Sequence, residues 1–193
     1  MADLTVNEAA VLAKVSPARI RKALEEGVVQ KLRPGRGRRS SAVYVDSSAV
    51  LYAAILSRLE FPLPVEKKRQ LVRLVKKHGK NRRELERVEL APHLILDASA
   101  LLGKDVPARA ATYERLRDEV IERNPEILGG TPVVRGTRIS VYSLLARVED
   151  GESFESIRED YPELDDDRLE TAITYARAHP RMGRPGGRPW ARS

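Results

Sequence analysis

Arginine carries most of the chemistry available to this chain, and it is gathered in two places. Arg33, Arg36, Arg38 and Arg39 crowd the segment RPGRGRRSS, where Gly35 and Gly37 let the backbone come close to a surface. Guanidinium groups stay charged when desolvated and bind phosphate oxygens in pairs, so this cluster suits a polyanion. The second cluster is RMGRPGGRPWARS at residues 181–193, with Arg181, Arg184, Arg188 and Arg192 and no acid. Gly183, Gly186 and Gly187 loosen it, Pro185 and Pro189 extend it, and Trp190 is the only tryptophan. Taken alone, so polar a segment cannot bury enough apolar surface to fold by itself and reads as a solubilising end.

Other chemistries find little support. Without cysteine there are no disulfides, thiolate zinc sites or cysteine nucleophiles, and His78, His93 and His179 are scattered singly. GGTPVVRGTR lacks the spacing of a phosphate-binding loop and no helix follows its glycines directly. Asp165, Asp166 and Asp167 open a helix, where the macrodipole accounts for them without a metal. No Ser/His/Asp set or carboxylate pair is placed by motif. The expectation is a protein with no catalytic residues, no metal and no cofactor.

The chain has 193 residues, 41% of them hydrophobic and 33% charged, a balance that suits several small helical units better than one thick core. Its net charge of +7 divides unevenly: residues 1–83 carry 19 Lys and Arg against 7 acids, and residues 84–193 carry 16 against 21. Glu149 to Glu170 alone holds 11 acids and two bases. The two halves therefore face different partners, the basic one attracting polyanions. No stretch reaches the roughly 18 apolar residues of a membrane span. The start is acidic and helical rather than a signal peptide, so a cytoplasmic protein is expected.

The elements that must position these residues are legible in outline. Thr5-Val6-Asn7-Glu8 is a capping box ahead of the stripe Ala9, Leu12, Ala13. Ser16-Pro17 starts a second helix with Ile20, Ala23 and Leu24 inward, Arg19 and Lys22 outward, and Gly27 as its stop. Val28–Leu32 and Ala42–Val45 can pair as strands around the arginine tip. Two short helices followed by a basic hairpin resemble a winged helix of the MerR and excisionase type, from about Leu4 to Tyr52. Such units bind DNA or, in some cases, proteins. Asp46 caps a third helix, about 47–59. A very basic helix over 65–78 extends the phosphate footprint or pairs two subunits. A hairpin over 88–96, a connector over 98–108 and a helix over 109–123 follow.

In the second half, NPEILGGTPVVRGTRISV gives two short extended pieces joined at Arg135-Gly136. Helices capped by Ser140, Ser153 and Asp165 come next, the last with Leu169, Ala172, Ile173 and Ala176 inward. With GESFESIREDYPEL and LETAITYARAHP, the run from Asn124 to Pro180 resembles the small antitoxin domain of VapB-type antitoxins from type II toxin–antitoxin pairs. That resemblance implies neutralisation of a PIN-like ribonuclease toxin and repression of the shared operon.

The expected fold is mainly α with small β-hairpins: an N-terminal winged helix-turn-helix plus a C-terminal small helix-turn-helix-like antitoxin domain. The divisions are 1–97 for the winged helix with accessory helices and hairpin, and 98–123 for the connector and linking helix. The antitoxin domain takes 124–180 and the Arg-rich flexible toxin-binding tail 181–193. Ser16, Arg19, Lys22, Arg33, Arg36, Arg38 and Arg39 are expected to meet operator DNA, with a homodimer on paired half-sites and a higher toxin–antitoxin complex as the expected assemblies. Arg181, Arg184, Arg188, Trp190 and Arg192 are expected to meet the toxin, an arginine replacing the cation among its acidic groups. The alternative is a stand-alone winged-helix regulator or excisionase-like factor with no toxin partner.

Overall fold

Local capping chemistry sets the helix starts. In a computed structural model that describes residues 3–33, 42–78, 85 and 88–181, the Thr5 hydroxyl accepts the Glu8 N–H at 3.2 Å. Glu8 returns the bond by accepting the Thr5 N–H at 2.7 Å, closing the box that starts α1 (Val6–Ala13). Lys14 turns the chain at φ 55°, and α2 (Pro17–Glu25) opens with proline where a missing N–H costs nothing. Gly27, at φ +62°, lets the chain reverse after α2. Asp46 caps α3 (Ser47–Ser57) through the Ser48 N–H at 3.0 Å. Leu12 of α1, Ile20 of α2 and Ile55 of α3 are buried together in one core.

The strand pairing differs from the sequence reading. Tyr44–Val45 forms β2, but its partner is β1 (Leu4–Thr5), in the register Leu4 to Val45 and Thr5 to Tyr44. Val28 and Val29 are not a strand; their N–H groups fold back onto the Ala23 carbonyl at 2.9 and 3.1 Å. Only Leu32 still reaches across, donating to the Tyr44 carbonyl at 2.8 Å. The reason is burial, since Leu4 and Val45 are both fully buried and the first residues bury best against β2.

Beyond α4 (Val65–His78), β3 (Val88–Ala91) and β4 (Leu94–Leu96) form the expected hairpin. Residues 98–108 are helical rather than a plain connector. Asp97 caps α5 (Ala98–Leu102), and α6 (Asp105–Val120) begins four residues before the expected start. Pro107 sits in the first turn of α6, where its N–H would have no helical acceptor. The helix stops at Val120 because Ile121–Glu122 becomes β5, paired with β6 (Val133–Val134).

After β6 come α7 (Val141–Glu149), α8 (Phe154–Asp160) and α9 (Asp166–Ala178), capped by Ser140, Ser153 and Asp165 as read from the sequence. The protein is thus mainly α with small two-stranded antiparallel sheets. Leu169, Ala172, Ile173 and Ala176 all face the second core. Arg135, in the middle of the VVRGTR run, closes the end of α6. Its Nε donates to the Glu119 carbonyl and one Nη to the Asp118 carbonyl, each at 3.0 Å. A cation there meets the negative end of the helix dipole as well as otherwise orphaned carbonyls.

The two cores meet along α6 and α9. Ala110 and Tyr113 of α6 belong to the first core, Leu116 and Val120 to the second, and Tyr175 of α9 touches both. At this junction the Glu8 carboxylate is 1% exposed. It accepts from the Tyr113 hydroxyl at 2.7 Å and from Arg117 Nη1 at 3.2 Å, and His179 Nε2 lies at 3.3 Å. Arg117 is itself buried and also donates to the Asp3 carbonyl at 2.8 Å. Burial pushes the Glu8 pKa up, but His179, Arg117, Thr5 and Tyr113 together outweigh it and hold the group at about 2. Burial first, then the Glu8 charge, raises the Tyr113 hydroxyl well above its ordinary value, so it remains a donor.

Two predictions follow from this architecture. Glu8→Gln removes the buried counter-charge of Arg117, leaving it only the exposed Asp118 carboxylate at 3.1 Å, and is expected to lower stability at neutral pH by about 3 kcal/mol, read from urea unfolding. Because the folded carboxyl titrates near 2 and the unfolded one near 4.5, its stabilisation is complete above pH 4.5 and fades as pH falls towards 2. The variant should lose that part of the acid dependence. Arg135→Ala is expected to cost about 1–2 kcal/mol through the lost charge-assisted bonds at the end of α6, measured the same way.

Candidate nucleic-acid interface

Helix α2 presents the expected recognition side chains. Arg19 and Lys22 are exposed, three residues apart and so on one face, while Ile20 and Ala23 anchor the helix from beneath. Ser16 stands at the N-cap in extended conformation, but its side chain makes no cap bond, which corrects the capping role read from sequence. Its exposed hydroxyl is therefore not occupied by the helix. Arg33 is exposed just beyond the Leu32–Tyr44 bridge, on the hairpin base that this bridge forms. Arg36, Arg38 and Arg39 lie outside the described residues.

Helix α4 is less available to phosphates than its six bases suggest. Lys68 pairs with Glu26 at 2.8 Å, and Arg69 donates to the Glu26 carbonyl at 2.9 Å, closing the C-terminal end of α2. Lys76 pairs with Asp46 at 2.9 Å, the carboxylate that also caps α3. These cations hold α2 and α3 in place. Arg73 and Lys77 remain exposed on the outer side.

In the second half the acids are largely arranged among local arginines. Arg147 bonds Glu152 and Asp160, and Arg158 lies 3.3 Å from Asp166. Asp165 accepts the Arg168 N–H at 2.7 Å, the cap role that its position implied. Among the described residues no group of three or more His, Asp or Glu is arranged to hold a metal ion, and no helix is long and apolar enough to cross a membrane. Arg181 is stacked on its own chain: its guanidinium carbon lies 4.8 Å from the centre of the Tyr142 ring. The Tyr142 hydroxyl in turn donates to the His179 carbonyl at 2.8 Å, so the end of α9 is tied to α7. Arg184, Arg188, Trp190 and Arg192 lie outside the described residues.

Sequence reasoning missed the junction around Glu8. The capping box was visible, but nothing local ties Glu8 to Tyr113 and Arg117, more than one hundred residues away in sequence, or to His179. The one faint signal is an acid set within the mostly apolar helix VNEAAVLA.

Comparison with other proteins finds likeness over one segment and over most of the chain. Residues 121–176 match the family described as a protein of unknown function, DUF433. That match contains β5, β6, the Arg135 cap and most of α9. The X-ray crystal structure of Rv2018 from Mycobacterium tuberculosis covers 89% of this chain and 96% of its own, with 17% identity and a TM-score of 0.36, a likeness too slight to carry an argument. The uncharacterized protein y4eO of Sinorhizobium fredii (strain NBRC 101917 / NGR234) is 31% identical over 198 residues, covering 94% of this chain and 83% of that protein. An alignment of that extent spans both α1–α2 and the DUF433 segment, and the chain belongs to the same family as y4eO.

Proposed function

We propose that this protein is a cytoplasmic DNA-binding antitoxin of the VapB type, which represses its own operon and neutralises a PIN-like ribonuclease toxin. The observation that carries the DNA part is α2, anchored by Ile20 and Ala23, with Arg19 and Lys22 exposed beside a hairpin base bearing Arg33. Arg19 and Lys22 reach towards base edges, and Arg33, Arg36, Arg38 and Arg39 bind backbone phosphates. The antitoxin part is supported by the resemblance of residues 124–180 and by the chemistry of the arginine-rich end. Guanidinium groups there replace a metal cation among the carboxylates of a nuclease, and Trp190 supplies an apolar anchor. Arg181, already stacked on Tyr142, positions the start of that segment beside α7.

A stand-alone winged-helix regulator is the second reading. The exposed Arg19 and Lys22 of α2, with Arg33 beside them, support it, because they serve DNA binding without any contribution from residues 181–193.

Two measurements test the proposal. Binding to DNA taken from upstream of the protein's own gene should weaken at least tenfold in the Arg33, Arg36, Arg38 and Arg39 alanine variant, with a shallower salt dependence. Unchanged affinity and salt slope in that variant would remove the DNA reading. Affinity capture from the native host should retrieve a small acidic nuclease, inhibited by the full chain but not by one ending at Pro180. Capture and inhibition by both chains would discard the arginine-end mechanism and keep the antitoxin; no nuclease with either would favour the regulator.

A further inference from the structure

A cleft of about 880 Å³ opens between α2, the hairpin base and the C-terminal end of α9. That volume is within the range that encloses a small organic molecule. Its walls include the apolar side chains of Leu24, Val29 and Tyr175, and its cations are Arg21, Lys31 and Arg123. Glu8 and Glu25 are the acids that line it. The Glu8 charge is already answered by Arg117 from within the core, which leaves three cations facing Glu25. Among the described residues Arg21 and Lys31 have neither an ion pair nor a hydrogen bond from their side chains, whereas Arg123 is held by the Tyr175 hydroxyl at 2.9 Å.

We propose that this cleft is a binding site for a small organic anion, whose apolar body rests between Leu24, Val29 and Tyr175 while its acidic group meets Arg21 and Lys31. Cations left without partners beside an apolar wall are matched by a ligand that has both parts. Neither inorganic phosphate nor a neutral hydrocarbon satisfies both. Because α2 comes from the first half of the chain and Arg123 and Tyr175 from the second, an occupant touches both. It also touches α2 along Arg21, Leu24 and Glu25, next to the face that carries Arg19 and Lys22. The site stands independently of the DNA and toxin readings.

A matched pair of fluorescent probes tests it on the full chain: 1-anilinonaphthalene-8-sulfonate and N-phenyl-1-naphthylamine, the same body without the sulfonate. The sulfonate probe should bind saturably at one site, and the neutral probe at least tenfold more weakly. Arg21→Ala with Lys31→Ala should weaken the sulfonate probe at least tenfold. Arg73→Ala with Lys77→Ala, an equal charge change on α4 away from the cleft, should leave it within twofold. All four positions are exposed, and equal melting temperatures across the variants confirm that folding is intact. The proposal is overturned by any of three results: no saturable binding of the sulfonate probe, equal binding of the neutral one, or the same response from both pairs of substitutions.

Discussion

The buried carboxylate of Glu8 is the constraint on which the rest of the structure depends. Taking an ion out of water costs several kcal/mol, and only tight partners offset it. Glu8 has four: the Thr5 N–H, the Tyr113 hydroxyl, Arg117 and the His179 ring. They arrive from the chain just before α1, from α6 and from the end of α9, so the charge is compensated only when all three segments are assembled. A group that begins as a local helix cap therefore also specifies how the two cores meet. Asn7 adds to the same junction by donating to the Ala178 carbonyl at the end of α9, at 3.2 Å.

Around that junction the chain divides its many cations between internal and external use. Lys68, Arg69 and Lys76 bind Glu26 and Asp46, and Arg135 closes the end of α6. Arg109 meets Glu170 at 2.6 Å, joining α6 to α9. Arg19, Lys22 and Arg33 stay exposed, which is what a surface that meets phosphates requires. Net charge alone cannot separate these groups. The separation follows from which carboxylates and carbonyls the packing brings within reach.

Short-range chemistry was largely legible. The capping box at Thr5, proline at the start of α2, Asp46 before α3, and Ser140, Ser153 and Asp165 before the last three helices all act within four residues of their partners. The inward face of α9 was equally readable, because apolar residues repeat at the helical period. The pairing of β2 was not. A two-residue strand at Leu4–Thr5 has no periodicity to detect, and it wins over Val28–Leu32 through burial against Val45. The cleft beside α2 was invisible for the same reason, since Arg21, Lys31 and Tyr175 become neighbours only through packing.

By itself the sequence determined the helix starts, the apolar faces, the split of charge between the halves and the absence of thiol chemistry. Each is a property of residue type or of spacing within a few positions. Tertiary structure alone decided that α6 belongs to both cores, that Glu8 becomes the charge at their junction, and which bases remain exposed. Those outcomes depend on contacts between residues as much as 171 positions apart, where desolvation and the distance between charges set the energy and neither is encoded in local pattern.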